Sequence, residues 1–348
     1  MRYLVLAAIG ALASILANRG IAVFNDGFRP IVPQFYDGQI SRKELATMSF
    51  AISFGLVIGF AIPTSIAASI ILIHCILLTT DIIGTFCPDS LVGTVIAGVV
   101  GAAYGVAILL GLESIVNLFG SLPFNFLANL GSVSSYITAA FAIFPAVAVG
   151  YQHGFKKGAI AGLITLVVYL LTVKFGKFAL GEAKVALNGF GMAMLAGMVC
   201  LLVFATGVKG TGDANSSLVT TFGDKVKRIR SNWWLLAIMG GLVAMATSLG
   251  IVAGDPISLG LVSEGSWAEA AMVALARAIG FVPLVFTTAI VTGVYGPAGS
   301  TFVFVVGLLL HGNPFVAVIA GAVVMVVELA LINVFAKGMD KFPGMKDM

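Results

Sequence analysis

Residues 316–335 read VAVIAGAVVMVVELALINVF, a stretch with a single charged side chain, Glu328. A helix of about 20 apolar residues is long enough to cross roughly 30 Å of hydrocarbon. Runs of this length recur along the whole chain, and segments such as 163–173 do not alternate between polar and apolar residues. Because a membrane-spanning strand alternates over about ten residues, the pattern predicts transmembrane helices rather than a closed barrel.

The composition excludes an ordinary soluble domain. Of 348 residues, 59% are hydrophobic and 10% are charged, and the mean hydropathy is +1.09. Soluble domains are about half apolar and about a quarter charged, because charged side chains cover their surface. The net charge of +4 comes from membrane-flanking loops and is not a nucleic-acid signal.

We therefore predict an all-α, polytopic transmembrane protein. Segment 114–130, which follows the fourth span, and segment 285–310, which is the tenth span, contain glycine and proline. Both are predicted to be broken or re-entrant. Eleven spans are expected, at 3–24, 46–63, 65–84, 90–112, 131–151, 156–174, 185–207, 232–252, 267–283, 285–310 and 314–336.

Lysine and arginine predict the orientation, since cytoplasmic loops carry an excess of both. With eleven spans, most basic residues fall on one side, and only Arg2, Lys174, Lys177 and Lys184 fall on the other. This places the N-terminus outside and Met348 in the cytoplasm of a bacterial inner membrane. The predicted organisation is a first membrane half at 1–207, a basic cytoplasmic linker at 208–231 and a second half at 232–348.

Weak similarity between the two ends of the chain predicts an internal repeat. Four pairs of short segments match in the same order at an offset of about 220 to 230 residues. Spans one to four (about 3–112) would correspond to spans eight to eleven, with extra spans at 131–207 between them. Because seven spans separate each pair, the copies would be inverted, an arrangement typical of secondary transporters. The pairs are 9–12 with 239–242, 20–22 with 250–252, 58–63 with 279–283, and 95–98 with 318–321.

Two polar, helix-breaking segments follow matching spans of this repeat. The first is NDGFRPIVPQ, residues 25–34, and the second is AGDPIS, residues 253–258. Broken backbone exposes polar groups that a ligand can use when the segment is buried in protein. These segments supply the candidate substrate-binding residues Asn25, Asp26, Arg29, Gln34, Asp255 and Ser258.

Charged and hydroxyl side chains inside predicted spans complete the candidate set. Arg277 lies near the middle of a span, where a lone charge costs about 2.5–3.5 kcal/mol and needs a partner or a polar cavity. Glu328 is an expected partner for it, or a site of proton exchange. Asp81, Thr287 and Thr288 lie at or near membrane depth, although hydroxyls there often bond their own helix.

No catalytic or metal-binding pattern is found. The cysteines Cys75, Cys87 and Cys200 form no CxxC pair, and the histidines His74, His153 and His311 are scattered. We therefore expect no enzyme activity, no metal and no cofactor, with the cysteines serving as apolar packing residues.

Five segments resemble one bacterial family. They are DGFRPIVPQ (26–34), TDIIG (80–84), FAIFP (141–145), GFVPL (280–284) and the threonine-rich stretch 287–295. Together they are similar to the YhfT family of bacterial inner-membrane proteins. The resemblance implies a transporter whose substrate is unassigned. It also implies that members continue beyond this end with further spans, which would leave the second repeat incomplete.

The sequence thus predicts a secondary transporter that moves a small polar, anionic or zwitterionic metabolite by alternating access. Its expected partners are this solute, the lipid bilayer, a coupling ion (H⁺ or Na⁺) and a second copy in a homodimer, with no nucleic acid. Alternatives stay open: the membrane subunit of a sugar phosphotransferase system, an enzyme acting on a lipid-linked substrate with Asp26 and Asp81 as acid and base, or a channel or scaffold.

Overall fold

The computed structural model describes residues 1–121, 126–180, 183–206, 222–299 and 301–339. Within these ranges the chain is almost wholly helical, as predicted, and its four short strands form two small pairs.

The first part of the chain folds into six helices and one short strand. Ser41 begins α3 with a reciprocal cap: its Oγ accepts from the Glu44 N–H, and the Glu44 carboxylate accepts from the Ser41 N–H at 2.7 Å. This capping box satisfies two N–H groups that the helix leaves without acceptors. The elements are α1 (Arg2–Asn18), α2 (Val32–Tyr36), α3 (Arg42–Leu56), α4 (Ile62–Ala68), β1 (Ile71–Leu72), α5 (His74–Phe86) and α6 (Leu91–Gly120).

Three long helices form a unit of their own in the middle of the chain. They are α7 (Phe126–His153), α8 (Phe155–Phe175) and α9 (Gly189–Thr206), and each packs against the other two. A hairpin of β2 (Lys177–Leu180) and β3 (Ala183–Ala186) joins α8 to α9. The unit contacts the rest of the protein mainly through α4 and α14.

The last part of the chain completes the helical core. Its elements are α10 (Phe222–Lys225), α11 (Lys227–Ser231), α12 (Trp233–Ser248), β4 (Val252–Ala253), α13 (Pro256–Ser263), α14 (Trp267–Thr292), α15 (Phe302–Leu309) and α16 (Pro314–Met339).

Glycines allow two helix pairs to approach closely. A Cβ on Gly10 of α1 would overlap the backbone of Gly101 in α6, and one on Gly321 of α16 would meet the Gly240 carbonyl in α12. Small residues let helix backbones pack in this way. By contrast Gly55 and Gly59, which form a GxxxG pattern on the second predicted span, have no neighbouring atom within 4 Å of an added Cβ. That pattern does not mark a packed interface.

Two backbone pairings join the first part of the chain to the last. Strands β1 and β4 pair in parallel, with Ile71 opposite Val252 and Leu72 opposite Ala253. Ala22 forms a parallel bridge with Tyr295. In each pairing, one partner is the extended segment directly after a helix. The other partner lies where a different helix is interrupted.

These interruptions move several predicted span boundaries. The first predicted span, 3–24, is a 17-residue helix followed by a left-handed turn at Gly20. The predicted boundary near Pro63 is wrong, because helical structure continues through that position. At Pro283 α14 continues, but it bends by 40° between Val282 and Leu284. The chain unwinds instead after Ser69 and Gly293, which both adopt left-handed backbone angles. Segment 285–310 is broken as predicted, since α14 ends at Thr292 and α15 begins at Phe302.

Among the described residues, four helices are long and apolar enough to cross a membrane, and up to six if each sharply bent pair counts as one span. The bent pairs are Phe222–Ser231 with Trp233–Ser248, at 64°, and Trp267–Val282 with Leu284–Thr292, at 40°. These helices are compatible with a membrane protein. The finer count of eleven spans stays a prediction. The four long helices are Arg42–Ala68, Leu91–Leu118, Phe155–Phe175 and Pro314–Gly338.

Two other predicted features lie partly outside the described residues. In the predicted break at 114–130, α6 continues to Gly120 and α7 begins at Phe126, but residues 122–125 are not described. Of the predicted linker 208–231, only residues 222–231 are described. They are mostly helical and bury Phe222, Val226 and Ile229 in the core.

Candidate functional site

The segment that follows α1 carries a buried arginine. Arg29 is 2% exposed and lies 2.7 Å from the Asp26 carboxylate through Nη2. Its Nε donates to the Val23 carbonyl at 3.0 Å, and Nη2 donates to the Phe24 carbonyl at 3.1 Å. The guanidinium therefore holds its own segment in shape, as expected where backbone carbonyls lack helical partners. Its Nη1 is buried without a hydrogen-bond partner in the described part of the chain.

Asp81 of α5 fixes the same segment from the other side. Its carboxylate accepts hydrogen bonds from the Phe24 N–H at 3.1 Å and the Asn25 N–H at 2.9 Å. The Asn25 side chain in turn donates to Ser53 Oγ at 3.0 Å. A buried carboxylate is stabilised by N–H donors of this kind. These contacts join four side chains into one cluster, those of Asn25, Asp26, Arg29 and Asp81. Arg29 and Asp81 are 52 positions apart in the sequence.

The interruption after α14 completes this first cluster. The Val23 N–H donates to the Tyr295 carbonyl at 2.7 Å, and the Tyr295 N–H donates to the Ile21 carbonyl at 3.1 Å. The Tyr295 hydroxyl donates to the buried Glu328 carboxylate at 2.6 Å. Gly296 lies against the guanidinium of Arg29, so a side chain at that position would meet it. The predicted partner of Glu328 was Arg277, and the structure places Tyr295 there instead.

A second cluster forms where the segment after α12 enters α13. Asp255 caps α13 by accepting from the N–H groups of Ile257 and Ser258, at 3.0 and 2.9 Å. The Ser258 hydroxyl also lies 2.5 Å from this carboxylate. Arg277 of α14 places Nε 3.2 Å from Asp255 Oδ1, and its Nη2 is buried without a hydrogen-bond partner among the described residues. Arg277 is thus paired with Asp255, not with Glu328, because the interruption in the chain brings α13 beside α14.

His74 belongs to the second cluster and was missed in the sequence. It is the first residue of α5, and the N–H of Ile73 directly before it donates to the Ala253 carbonyl at 3.0 Å, two residues before Asp255. The rings of Phe24 and Phe60 meet its imidazole edge to face, at 5.0 and 5.5 Å between centroids. Its position within an apolar run was the available signal, since a titratable group at membrane depth is a functional candidate.

Helix α5 connects the two clusters. His74 begins it, and Asp81 follows two turns later, about 10 Å along the axis at 1.5 Å per residue. Two buried arginine-containing clusters therefore lie at successive levels of one short helix.

Three predicted site residues lie outside these clusters. Gln34 is exposed on α2. Thr287 and Thr288 place their hydroxyls on the Leu284 carbonyl of their own helix, at 3.3 and 2.6 Å. A further arginine, Arg42, has a different role. It donates to the carbonyls of Gly84 and Cys87 at the end of α5 and so caps that helix.

A surface cavity of about 240 Å³ lies beside the β1–β4 pair. Polar side chains of Arg2, Ser69, Glu113 and Asn117 line it, together with Gly250. The strands lead from this cavity toward His74 and Asp255, which follow them in the chain. Among the described residues, no group of three or more His, Cys, Asp or Glu side chains could hold a metal ion.

This architecture defines the class: an all-α protein whose apolar helices are compatible with a membrane, with two buried polar clusters at interrupted helices. The chain belongs to the YhfT family, whose model is described as a protein of unknown function and matches residues 2–348. It is similar to the uncharacterized protein YhfT of Escherichia coli (strain K12), with 34% identity over 363 residues, covering 100% of this chain and 81% of that protein. No solved structure matches the chain.

Proposed function

We propose that this protein is a secondary transporter that moves a small polar, anionic or zwitterionic metabolite across the bacterial inner membrane by alternating access. The observation that carries the proposal is the pair of buried clusters around Arg29 and Arg277, each at an interrupted helix. Charged side chains at membrane depth are costly and usually mark a solute or ion pathway. Interrupted helices at such depth are typical of transporter binding sites.

The order of elements supports an inverted repeat. Helix α1 is followed by an extended segment at 21–23, and α12 by one at 251–253. Helix α4 ends at left-handed Ser69 and α14 at left-handed Gly293. Each extended segment then pairs with the interruption in the other half. Two copies related by a two-fold axis in the membrane plane would give this exchange of partners.

The directions of α1 and α12 support inversion of the copies. The Arg228 side chain, just before α12, donates to the Arg19 carbonyl just after α1. At the opposite ends, Arg2 at the start of α1 and Gly250 just after α12 line one cavity. The two helices therefore run in opposite directions, as copies of inverted topology would. Two such halves give inward-open and outward-open states of similar energy.

The same contacts support an orientation with the N-terminus outside. Arg19, Arg42 and Arg228 lie close together at one end of the core, since Arg42 contacts the carbonyls of α5 and Arg228 lies over the Tyr36 ring at 4.0 Å. A basic end is expected on the cytoplasmic side. The Arg2 end, with its cavity, would then face outward. Coupling to H⁺ or Na⁺ and assembly as a homodimer belong to the same proposal.

Uptake by cells that overproduce the protein tests the proposal. A panel of radiolabelled anionic and zwitterionic metabolites is compared with cells that carry the empty vector. We expect one solute to accumulate, and Arg277→Ala to abolish that uptake while leaving the amount of protein in the membrane unchanged. Arg228→Ala is the matched control, because it removes a basic side chain at the surface of the core.

Three results would count against the proposal. Wild-type uptake by the Arg277→Ala variant would remove the second cluster from the pathway. Accumulation of a phosphorylated product, with dependence on a soluble phosphoryl donor, would favour the phosphotransferase alternative. Turnover of a lipid-linked substrate by protein in detergent would favour the enzyme, because transport needs a sealed compartment.

A further inference from the structure

We propose that the N-terminus of α5, with Arg277 and His74, binds a carboxylate group of the transported solute. The inference rests on the proposed function, because it names the chemical group that the second cluster would receive. Three sets of polar groups beside segment 253–255 lack a hydrogen-bond partner among the described residues.

The first set is the backbone of α5 itself. The first N–H groups of a helix have no acceptor within it. The Ile73 N–H donates to Ala253, and the N–H groups of Ile76 and Leu77 donate to the Ile73 carbonyl. The N–H groups of His74 and Cys75 have no such acceptor in the described part of the chain. They stand at the positive end of a 13-residue helix, where anions bind.

The second donor is the guanidinium of Arg277. The residue is 8% exposed and its side chain 10%. Asp255 already accepts from two backbone N–H groups and contacts the Ser258 hydroxyl, and it lies 3.2 Å from Arg277 Nε. Nη2 has no hydrogen-bond partner among the described residues and is therefore available. A buried charged donor without an acceptor is costly, so a ligand acceptor there would be strongly favoured.

The third group is the imidazole of His74, whose Nδ1 is buried without a partner among the residues described and is a donor in the tautomer that carries its proton there. The Phe24 and Phe60 rings enclose it from two sides. The Ile73 N–H, next to His74, donates to the Ala253 carbonyl at 3.0 Å, and Arg277 Nε lies 3.2 Å from Asp255, so the imidazole and the guanidinium both flank segment 253–255.

The charge of the site selects a single negative charge. Arg277 and Asp255 cancel each other, and a helix N-terminus contributes roughly half a positive charge. A carboxylate is matched by this residual charge. A doubly charged phosphate would leave a buried negative charge without compensation. The site therefore favours a carboxylate over a phosphate.

Thermal unfolding of the full chain in lipid nanodiscs tests the site without any transport assay. The probes are sodium acetate, inorganic phosphate and sodium chloride at equal ionic strength. We expect acetate to raise the unfolding midpoint of the wild-type protein more than the other two salts. Arg277→Gln should weaken acetate binding at least tenfold, and Arg277→Lys should retain part of it. The control Arg228→Gln should respond to acetate as the wild-type protein does.

The outcomes separate this inference from the proposed function. Equal acetate responses in the wild-type and Arg277→Gln proteins, or a larger response to phosphate, would overturn the carboxylate site. If Arg277→Gln does not fold, His74→Ala is the second variant, and an unchanged acetate response there would overturn the site equally. Acetate binding that depends on Arg277, without uptake of any solute, would leave the site and overturn transport. Uptake of a solute that has no carboxylate would support transport and overturn the carboxylate site.

Discussion

Leu72 and Ala253 are register partners in a parallel pair of two-residue strands, although one belongs to the first part of the chain and the other to the last. The pair lies between the cavity beside Arg2 and the cluster that contains Asp255 and His74. In the proposed transporter it closes the outer side of the pathway, so alternating access would require it to separate.

A disulfide between these two positions tests that role. Neighbouring strands lie about 4.8 Å apart, within the Cα separation that a disulfide accepts. We expect Leu72→Cys with Ala253→Cys to cross-link under oxidation and to lose most of its uptake, and a reductant should restore the uptake. Each single cysteine variant is the control. Full uptake by the cross-linked protein would show that the pair does not open.

Asp81 should matter for stability through its two backbone hydrogen bonds. Hydrogen bonds to a charged group contribute about 1.5–3 kcal/mol each. We expect Asp81→Ala to lower the free energy of unfolding by at least the contribution of one such hydrogen bond. The unfolding midpoint in nanodiscs should fall accordingly. Asp81→Asn should lose less, because the amide oxygen still accepts. Asp89→Ala, at an exposed position just beyond the same helix, should leave the midpoint unchanged. An unchanged midpoint for Asp81→Ala would contradict the anchoring role.

Two glycines on different helices should respond oppositely to alanine. An added Cβ at Gly101 would overlap the Gly10 carbonyl and the Ser14 side chain, so Gly101→Ala should separate α1 from α6 and destabilise the protein. At Gly55 there is open space, and alanine should be neutral or stabilise α3 by up to about 1 kcal/mol. Unfolding midpoints measured side by side give the comparison. Similar midpoints for both variants would contradict the close packing of α1 on α6.

The proposed orientation predicts which cysteines an impermeant maleimide reaches. Ser69→Cys lines the cavity at the Arg2 end, and Ser121→Cys is exposed at the end of α6. Both should be labelled in intact spheroplasts, whereas Ser231→Cys, exposed before α12, should be labelled only after permeabilisation. The natural cysteines Cys75, Cys87 and Cys200 are buried and give little background. Labelling of Ser231→Cys in intact spheroplasts would reverse the orientation.

Tyr295→Phe removes the hydroxyl that donates to Glu328. The buried carboxylate then loses a described donor, at a cost of about 1–3 kcal/mol. We expect a lower unfolding midpoint with the overall fold retained, because the backbone pairing of residue 295 with Ala22 does not use the hydroxyl. Tyr151→Phe, on an exposed surface, is the control. An unchanged midpoint for Tyr295→Phe would show that Glu328 is satisfied by other contacts.

The local sequence was sufficient to predict the helical class and the positions of most helices. Apolar runs such as 314–336 and 156–174 became α16 and α8 almost residue for residue, because backbone in hydrocarbon must bond within its own segment. The break near Tyr295 was also visible, since glycine and proline next to it cannot continue a helix. The family resemblance was confirmed over the whole chain.

Local sequence was misleading at proline. Pro63 predicts a boundary, yet helical structure continues through it, and at Pro283 the helix continues with a 40° bend. Pro63 is the second residue of α4, which continues a π-helical segment at Val57–Ala61. Proline has no N–H to donate within a helix, and irregular turns of this kind accompany it.

Charge partners were decided by the tertiary structure alone. The sequence placed Arg277 and Glu328 inside predicted spans and Asp255 in a helix-breaking segment, but it did not show that Arg277 pairs with Asp255 and Glu328 with Tyr295. Nor did it place His74 in the second cluster. These contacts join residues tens to hundreds of positions apart, and they depend on where two interrupted helices cross. Composition and periodicity indicate which segments are apolar helices. Only the crossing of distant segments determines which polar groups meet in the interior of the protein.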